Sequence, residues 1–266
     1  MEIKSSLTTI LKRLRLSGIL PTLPDRITHA RKTKMTELDL IELVLSDEVS
    51  RRDHKVLGLR VDAAGFEEQR TLEDFDWDAP VTFDRNRVRD LFGLGFIERC
   101  EDVAFIGPVG VGKTLLATAL GHAACRSGLD VRFLRSDVML RQLHQSRADH
   151  STERHIRSLL ALDLLIIDDF GLRSLDREQS NDVYEILRER HRHASTIITS
   201  NRSIDEWLAL FDDAVLAQSA LDRFAHNAHQ IVIEGDSYRP RLRPDPAAPG
   251  PRRSAPARRR PGRARP

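Results

Sequence analysis

The amino-acid sequence predicts an α/β fold, in which a mostly parallel sheet is covered by helices on both faces. From about residue 83 onwards, short apolar or β-branched runs alternate with stretches of helical spacing. The runs lie at 103–106, 131–134, 164–167, 196–199 and 230–233. This alternation is typical of parallel strands that are joined through crossover helices. A glycine-rich loop after the first run and an acidic pair after the third run support the same fold class.

The glycine-rich loop has the pattern of a phosphate-binding loop. It consists of Gly107, Pro108, Val109, Gly110, Val111, Gly112, Lys113 and Thr114. Glycines allow successive backbone N–H groups to point at phosphate oxygens, and the helix that follows adds its positive N-terminal end. We therefore expect Lys113 to contact the β- and γ-phosphates of ATP and the Thr114 hydroxyl to bind Mg²⁺.

The acidic pair follows the apolar run at 164–167, where the strand would emerge at its carboxyl end. Ligands of open α/β sheets bind at that edge. Asp168 is the carboxylate that we expect to hold Mg²⁺ beside Thr114. Asp169 stands where many ATPases of this layout carry a Glu that polarises the attacking water. Because Asp is one methylene shorter than Glu, we expect hydrolysis to be slow.

Three further polar residues are candidates for the same site. Asn201 follows the run at 196–199 and is expected to position the water or to contact the γ-phosphate. Arg223 and Arg239 lie farther along the chain. Either arginine can stabilise charge on the γ-phosphate, from the same subunit or from a neighbour, or can be a surface residue.

The chain is expected to form four segments. Residues 1–62 are expected to form a small domain of three helices. The first helix has one apolar face, which consists of Ile3, Leu7, Ile10, Leu11 and Leu14. Gly18 and Pro21 are expected to end the first helix. The second is expected over about 22–34, and the third from near Thr36 towards Leu57. Residues 63–82 are expected to form a linker and 83–239 the ATPase domain. Residues 240–266 are rich in Pro, Ala and Arg and are expected to be disordered.

The net charge of +2 is unevenly distributed along the chain. Residues 1–35 contain eight Lys/Arg and two acidic residues, and residues 241–266 contain nine Arg and one Asp. The intervening chain carries 25 basic and 37 acidic residues. Basic ends on an acidic body suggest contact with a polyanion, and nucleic acid is the first candidate. The alternative is a solvated helix face and a solubilising tail.

Composition also limits the classes of function. Two cysteines, Cys100 and Cys125, are too few for a disulfide framework or a cysteine metal site. The sequence has no apolar run of membrane-spanning length and no secretory signal, so no membrane partner is expected. We expect a cytoplasmic protein.

The motifs together resemble the IstB-type helper ATPases of insertion-sequence transposons, which belong to the AAA+ class and are related to the helicase loader DnaC. The resemblance covers about residues 7–239. Besides the phosphate loop and Asp168–Asp169, it includes Leu-Arg-Leu-Ser-Gly at 14–18, Thr-Leu-Glu-Asp-Phe at 71–75, Thr-Ser-Asn at 199–201, Leu-Asp-Arg at 221–223 and Gly-Asp-Ser-Tyr-Arg at 235–239. The segments at 14–18 and 235–239 are more specific to this family than the phosphate loop is.

The resemblance implies an AAA+ fold and a role for each distal residue. It suggests that Asn201 is the sensor 1 residue, that Arg223 is an arginine finger given to a neighbouring subunit, and that Arg239 is a sensor-2-like residue. Members with Asp-Asp in place of Asp-Glu look like a subgroup of the family. The resemblance further implies a homo-oligomer that assembles with ATP on double-stranded DNA and delivers or stimulates a cognate transposase.

Two other functions remain open at this point. One is a replicative helicase loader, which is also an ATPase but binds a helicase, with its N-terminal domain as the expected contact. The other is a nucleotide-gated DNA-binding scaffold with negligible turnover. ATP hydrolysis measured with and without DNA separates such a scaffold from an enzyme.

Overall fold

The structure is a computed structural model that describes residues 3–237, apart from the side chain of Leu216. The tail predicted at 240–266 and the candidate residue Arg239 therefore lie outside the described residues. Within 3–237, no helix is both long and apolar enough to span a membrane.

Helices form the N-terminal part of the chain. They are α1 (Ser5–Arg13), a 3-10 turn (Ser17–Ile19), α2 (Leu23–Thr33) and α3 (Glu37–Ala64). A capping box between Thr36 and Asp39 begins α3, and Gly65 ends it in the left-handed conformation at φ 74°. An ion pair of 2.6 Å between Arg26 Nε and Asp47 Oδ2 joins α2 to α3.

The expectation that Gly18 and Pro21 end the first helix is wrong, because α1 ends at Arg13. Arg15 takes a left-handed conformation at φ 57°, and the Leu16 N–H donates to the Leu11 carbonyl at 2.8 Å. The Arg15 N–H likewise donates to the Lys12 carbonyl at 3.0 Å. These two bonds satisfy carbonyl groups of the last turn, and the helix therefore ends before the glycine. Leu7, Ile10 and Leu14 on the apolar face are exposed.

Close packing against α3 explains why residue 18 is a glycine. Glu48 is buried, accepts hydrogen bonds from Arg51 and Arg52, and lies directly beside Gly18. A Cβ on Gly18 would lie 2.2 Å from Glu48 Oε2 and 2.0 Å from Arg51 Nε. The segment at 14–18 therefore packs the 3-10 turn at Ser17–Ile19 against α3.

An aromatic segment connects α3 to the sheet. It contains a 3-10 turn (Leu72–Asp74), β1 (Val81–Thr82), α4 (Arg85–Leu91) and α5 (Gly95–Glu98). The Phe75 ring contacts the Trp77 and Phe83 rings edge-on, with centroids 5.1 and 5.6 Å away. Although α3 runs two residues past the boundary expected at residue 62, the division of the chain into domains stays a prediction.

A five-stranded parallel sheet forms the centre of the molecule, as predicted. Its strands are β2 (Asp102–Ile106), β3 (Val131–Arg135), β4 (Leu164–Phe170), β5 (Ser195–Ser200) and β6 (Ala228–Val232), in the spatial order β3-β4-β5-β2-β6. Each of the five apolar runs in the sequence contributes to one strand. A short strand, β7 (Glu234–Gly235), pairs with β1 in antiparallel register.

Helices cover both faces of the sheet. They are α6 (Lys113–Arg126), α7 (Ser136–Ala148), α8 (Thr152–Leu160), α9 (Arg177–Arg190), α10 (Ile204–Trp207), a 3-10 turn (Leu208–Leu210) and α11 (Ala214–Asn227). Because successive side chains of a strand point to opposite faces, β2 contributes side chains to two hydrophobic cores, one on each face of the sheet. Val103 and Phe105 pack in one core with α6, whereas Ala104 and Ile106 pack in the other with α7 and α9. The carboxyl ends of β2, β4 and β5 meet at one edge, beside the phosphate loop.

Candidate nucleotide-binding site

The phosphate loop lies between the end of β2 and the start of α6. Gly110 and Gly112 have φ of 88° and 99°, which the bend of the loop requires and which side chains disfavour. Lys113 is buried, and its Nζ donates to the carbonyl oxygens of Gly107 and Pro108, both at 2.7 Å. These bonds hold the ammonium inside the curve of the loop.

Asp168 joins β4 to the first turn of α6. The Thr114 hydroxyl donates to Asp168 Oδ1 at 2.9 Å, and the Thr199 hydroxyl donates to the same oxygen at 2.6 Å. Burial raises the pKa of Asp168 above its usual value, and the hydrogen bonds from Thr199 and Thr114 oppose that rise. The negative charges of Asp169 and Glu67 add to it. The carboxylate is therefore desolvated and close to other anions, an environment that favours binding of a cation.

Asp169 lies at an irregularity where β4 shifts its register against β5. Its φ is 55°, in the left-handed region that Asp tolerates better than most residues. The backbone N–H of Asp169 donates to Thr199 Oγ1 at 3.0 Å. The bulge turns the Asp169 side chain to a position where it lines the same cleft as the phosphate loop.

The cleft is closed on one side by the aromatic segment. Its lining residues are Asp74, Phe75, Asp76, Ala79, Val81, Val109, Gly110, Val111, Gly112, Lys113, Thr114, Leu115, Asp169, Leu172 and Asn201. The Phe75 ring contacts the loop so closely that a Cβ on Gly112 would lie 2.9 Å from its Cε2. The segment expected to be a linker at 63–82 therefore contributes an apolar wall next to the loop.

Asn201 and Thr199 occupy different positions at the end of β5. Asn201 is exposed and lines the same cleft as Asp169. Thr199 is fully buried and is the residue that contacts Asp168. Sequence reasoning missed Thr199, although it lies in the motif at 199–201. Thr199 ends the apolar run at 196–199, and because parallel strands bring their carboxyl ends to one edge, its place beside the expected Asp168 was the available signal.

Arg223 lies away from the cleft of its own chain. It is exposed on α11, one turn before that helix ends at Asn227. Asn227 Nδ2 donates to the Cys100 carbonyl at 2.8 Å, at the amino end of β2. The phosphate loop follows the opposite end of β2, so Arg223 and the loop are on different edges of the sheet.

The C-terminal end of the described chain passes directly over the phosphate loop. The Ile233 N–H donates to the Ile106 carbonyl at 2.7 Å, and a Cβ on Gly107 would lie 2.1 Å from the Ile233 carbonyl oxygen. A Cβ on Gly110 would likewise lie 2.2 Å from Ser237 Oγ. Arg239, two residues farther on, is outside the described residues, and its role stays a prediction.

The donor set at this edge suits a hard cation that also binds phosphates. Within residues 3–237, no group of three or more His, Cys, Asp or Glu side chains could hold a metal ion. Thr114 and Asp168 instead offer one hydroxyl and one carboxylate, which matches the few protein ligands that Mg²⁺ takes beside nucleotide phosphates. The residues present therefore fit a magnesium–nucleotide complex.

Comparison with known proteins identifies the family. The family model described as IstB-like ATP binding protein matches residues 9–245. A protein named as an ATP-binding protein in an insertion sequence of Mycobacterium tuberculosis is 40% identical over 240 residues, which are 90% of this chain and 96% of that protein. The ATP-binding protein of insertion sequence IS21 from Pseudomonas aeruginosa is 34% identical over 233 residues, which are 88% of each chain.

Solved structures agree with the fold. The DnaI crystal structure superposes with a TM-score of 0.53 at 20% identity, over 62% of this chain and 91% of that chain. The replication initiator DnaA bound to AMPPCP and single-stranded DNA superposes with a TM-score of 0.51 at 22% identity, over 62% of this chain and 50% of that chain. At these identities the likeness concerns the fold alone. The chain belongs to the IstB-like ATP-binding proteins and carries an AAA+ P-loop domain behind a helical N-terminal region.

Proposed function

We propose that the protein is an ATPase that assembles on double-stranded DNA as a homo-oligomer and recruits or stimulates a cognate transposase. The observation that carries the proposal is the cluster of Thr114, Asp168 and Thr199 beside the phosphate loop, in a chain whose relatives are ATP-binding proteins of insertion sequences. Because its substrates in this proposal are ATP and DNA, the protein would act in the cytoplasm.

The nucleotide is held in this proposal by the loop residues 107–114. Lys113 exchanges its bonds with the Gly107 and Pro108 carbonyls for bonds with the β- and γ-phosphates. Thr114 and Asp168 are the protein ligands of Mg²⁺, which when bound neutralises charge on the phosphates. The Phe75 ring and the small residues Ala79 and Val81 form an apolar surface for the base. Such a pocket combines apolar walls with a few charged groups, as nucleotide sites generally do.

Hydrolysis depends in this proposal on the second carboxylate. Asp169 orients a water molecule for in-line attack on the γ-phosphorus and takes up its proton, while the bond to the β–γ bridging oxygen breaks to leave ADP and phosphate. Asn201, which lines the same cleft, holds the water or the γ-phosphate. The reach of an Asp is one methylene shorter than that of a Glu, and we expect slow turnover that DNA accelerates.

Two arginines complete the site in the assembled form. Arg223 is exposed and lies on the other edge of the sheet from its own phosphate loop, which supports a role at the site of a neighbouring subunit. Arg239 follows Ser237, which contacts the loop, and is proposed to contact the nucleotide of its own chain. ATP then links the subunits, because each site needs residues from two chains.

The DNA contact is proposed for the basic N-terminal block. The basic residues Lys12, Arg13 and Arg15 are exposed at the end of α1. Residues 1–35 hold eight basic and two acidic side chains, against the acidic remainder of the fold. Because of this charge contrast, the N-terminal helices rather than the sheet domain would contact the DNA phosphates.

The rival functions make different predictions for one experiment. The purified protein with ATP is incubated with duplex DNA, with its proposed cognate transposase, and with a replicative helicase. The proposal expects DNA-stimulated ATP turnover and co-sedimentation with the transposase. Binding to the helicase without the transposase would instead indicate a helicase loader, and absent turnover would indicate a DNA-binding scaffold.

A further inference from the structure

A side-chain amide ties the end of α11 to the amino edge of the sheet. Asn227 is the last residue of α11, and β6 begins at the very next residue. Its Nδ2 donates to the Cys100 carbonyl at 2.8 Å and to Asp102 Oδ2 at 3.1 Å. Because a side-chain amide has two N–H bonds, these acceptors use both of them. This pair of bonds, the Asn227 anchor, fixes the corner between the helix and the strand.

The acceptor Asp102 is itself held inside the fold. Its side chain is buried, and its Oδ1 accepts the backbone N–H of Thr196 on β5 at 2.8 Å. One carboxylate oxygen therefore bonds the neighbouring strand, and the other bonds α11. The carboxylate is costly to displace, because a buried polar group without its partners is strongly destabilising. Neither Asp102 nor Asn227 lines the nucleotide cleft, so this buried pair has no part in binding ATP within its own chain.

Arg223 lies one helical turn before the anchor. Residues four apart on an α-helix lie on the same side, about 6 Å apart along the axis. Phe224, next to Arg223, packs against Trp207 with ring centroids 5.8 Å apart. Apolar packing is non-directional, whereas hydrogen bonds require defined angles. The packing therefore keeps this turn against the core, and the Asn227 bonds set its orientation and that of the exposed Arg223.

We propose that Asn227, held by Asp102, is a positioning residue that orients Arg223 towards the nucleotide of a neighbouring subunit. This inference rests on the proposed function, in which Arg223 acts across a subunit boundary. A misplacement of about 1 Å at a reacting centre can cost on the order of 100-fold in rate, even when the mutated residue is far from the chemistry. Fixing the end of α11 therefore has a catalytic consequence, although Asn227 contacts no reacting atom.

A mixture of Lys113→Ala and Arg223→Ala on duplex DNA tests this role, because each chain then has one task. The Lys113→Ala chain supplies its arginine, and the Arg223→Ala chain supplies its ATP site. Asn227→Ala added to the Lys113→Ala chain should lower the ATP turnover of the mixture by roughly 10- to 100-fold. The same change in the Arg223→Ala chain has no arginine to misplace, so the loss should be confined to the first mixture. Sedimentation should confirm that both mixtures co-assemble.

Two further variants make the comparison specific. Gln218→Ala, an exposed position on α11, is the matched control and should leave turnover unchanged when placed in the Lys113→Ala chain. Asn227→Asp keeps the shape of the side chain, but it removes both donors and places a carboxylate beside Asp102. It should lower turnover at least as much as Asn227→Ala does. Equal losses with Asn227→Ala in either chain, or no loss in the Lys113→Ala chain, would overturn the proposal.

Hydrogen exchange separates a failure of this inference from a failure of the proposed function. In nucleotide-free protein, the amides of residues 223–227 should exchange about 10-fold faster in Asn227→Ala than in the native chain, because the helix end loses two hydrogen bonds. The amides of α7 are the internal control and should keep their native rates. Faster exchange together with an inactive mixture of Lys113→Ala and Arg223→Ala would refute the proposed function, and the orienting role with it. Native exchange rates together with an active mixture would refute this inference alone.

Discussion

The hydroxyl of Thr199 donates a hydrogen bond of 2.6 Å to Asp168 Oδ1, and the same hydroxyl oxygen accepts the backbone N–H of Asp169 at 3.0 Å. One buried side chain on β5 thus fixes both acids at the end of β4. The arrangement couples the carboxylate proposed to bind Mg²⁺ with the one proposed to orient water. It also explains how Asp169 keeps its left-handed conformation at the bulge.

Removal of the Thr199 hydroxyl should slow hydrolysis without abolishing ATP binding. In Thr199→Val, Asp168 and Asp169 both lose a fixed partner, and loss of such a supporting group around a metal ligand typically costs about 10- to 100-fold in activity or metal affinity. Steady-state turnover and nucleotide binding should be measured in parallel.

A matched control is available on the same strand. The Thr196 hydroxyl accepts from Arg190 Nε at 3.1 Å, at the amino end of β5 and far from the cleft. Thr196→Val should lower the free energy of unfolding by about 1–3 kcal/mol, because Arg190 loses a buried partner. It should leave turnover per folded molecule unchanged. Equal turnover losses in the two variants would contradict a specific role for Thr199.

Asp169→Asn should keep ATP bound and slow its hydrolysis. Asn has the same size as Asp and also tolerates φ near 55°, so the bulge should persist while the charge that orients water is lost. Single-turnover measurements with bound ATP test this directly. Asp169→Glu should not speed hydrolysis, because Glu is less readily accommodated in the left-handed region. Undiminished turnover in Asp169→Asn would assign the catalytic role to another residue.

The stability of the N-terminal region should fall in acid. The guanidinium of Arg51, together with that of Arg52, lowers the pKa of Glu48 to about 2 from its ordinary 4.5, against the opposing effect of desolvation. The stabilisation is therefore fully present above about pH 4.5 and is lost as the pH falls towards 2. Thermal unfolding followed between these pH values should show this loss in the native protein. The slope should be smaller in Glu48→Gln and unchanged in Glu185→Gln, an exposed acid on α9.

DNA affinity should depend steeply on salt, and the end of α1 should carry part of that dependence. Replacing Lys12, Arg13 and Arg15 with Gln should weaken DNA binding. It should also reduce the magnitude of the slope of log affinity against log salt by up to about 2–3, because each lost phosphate contact contributes roughly 0.9 to that slope. The control replaces Arg85, Arg87 and Arg154 with Gln, which removes equal charge from exposed positions outside residues 1–35 and should leave the slope unchanged. If the α1 triple leaves the slope unchanged, this helix faces a protein or solvent instead.

The sequence alone predicts those features that depend on local patterns. The five strands and the Thr114–Asp168 pair follow from apolar runs and from the phosphate-loop motif, because parallel strands align their carboxyl ends at one edge. The Phe75 wall and the Thr199 bridge depend on contacts between distant segments. Phe75 meets Gly112, 37 residues later, and no spacing rule relates the two. The left-handed Asp169 likewise results from the register shift between two strands, which a single strand pattern cannot encode.

The central claim is that ATP is hydrolysed at a boundary between subunits, and a mixing experiment on duplex DNA tests it most directly. Lys113→Ala disables its own site but keeps Arg223, and Arg223→Ala keeps its site but lacks the arginine. Each should be inactive alone, and a mixture should regain part of the native ATP turnover, because some boundaries then join an intact site to an intact arginine. A control mixture of Lys113→Ala with Asp169→Asn contains no intact site and should stay inactive. If Arg223→Ala and Lys113→Ala co-assemble, as shown by sedimentation, and the mixture remains as inactive as the control, hydrolysis does not depend on Arg223 from a neighbouring subunit.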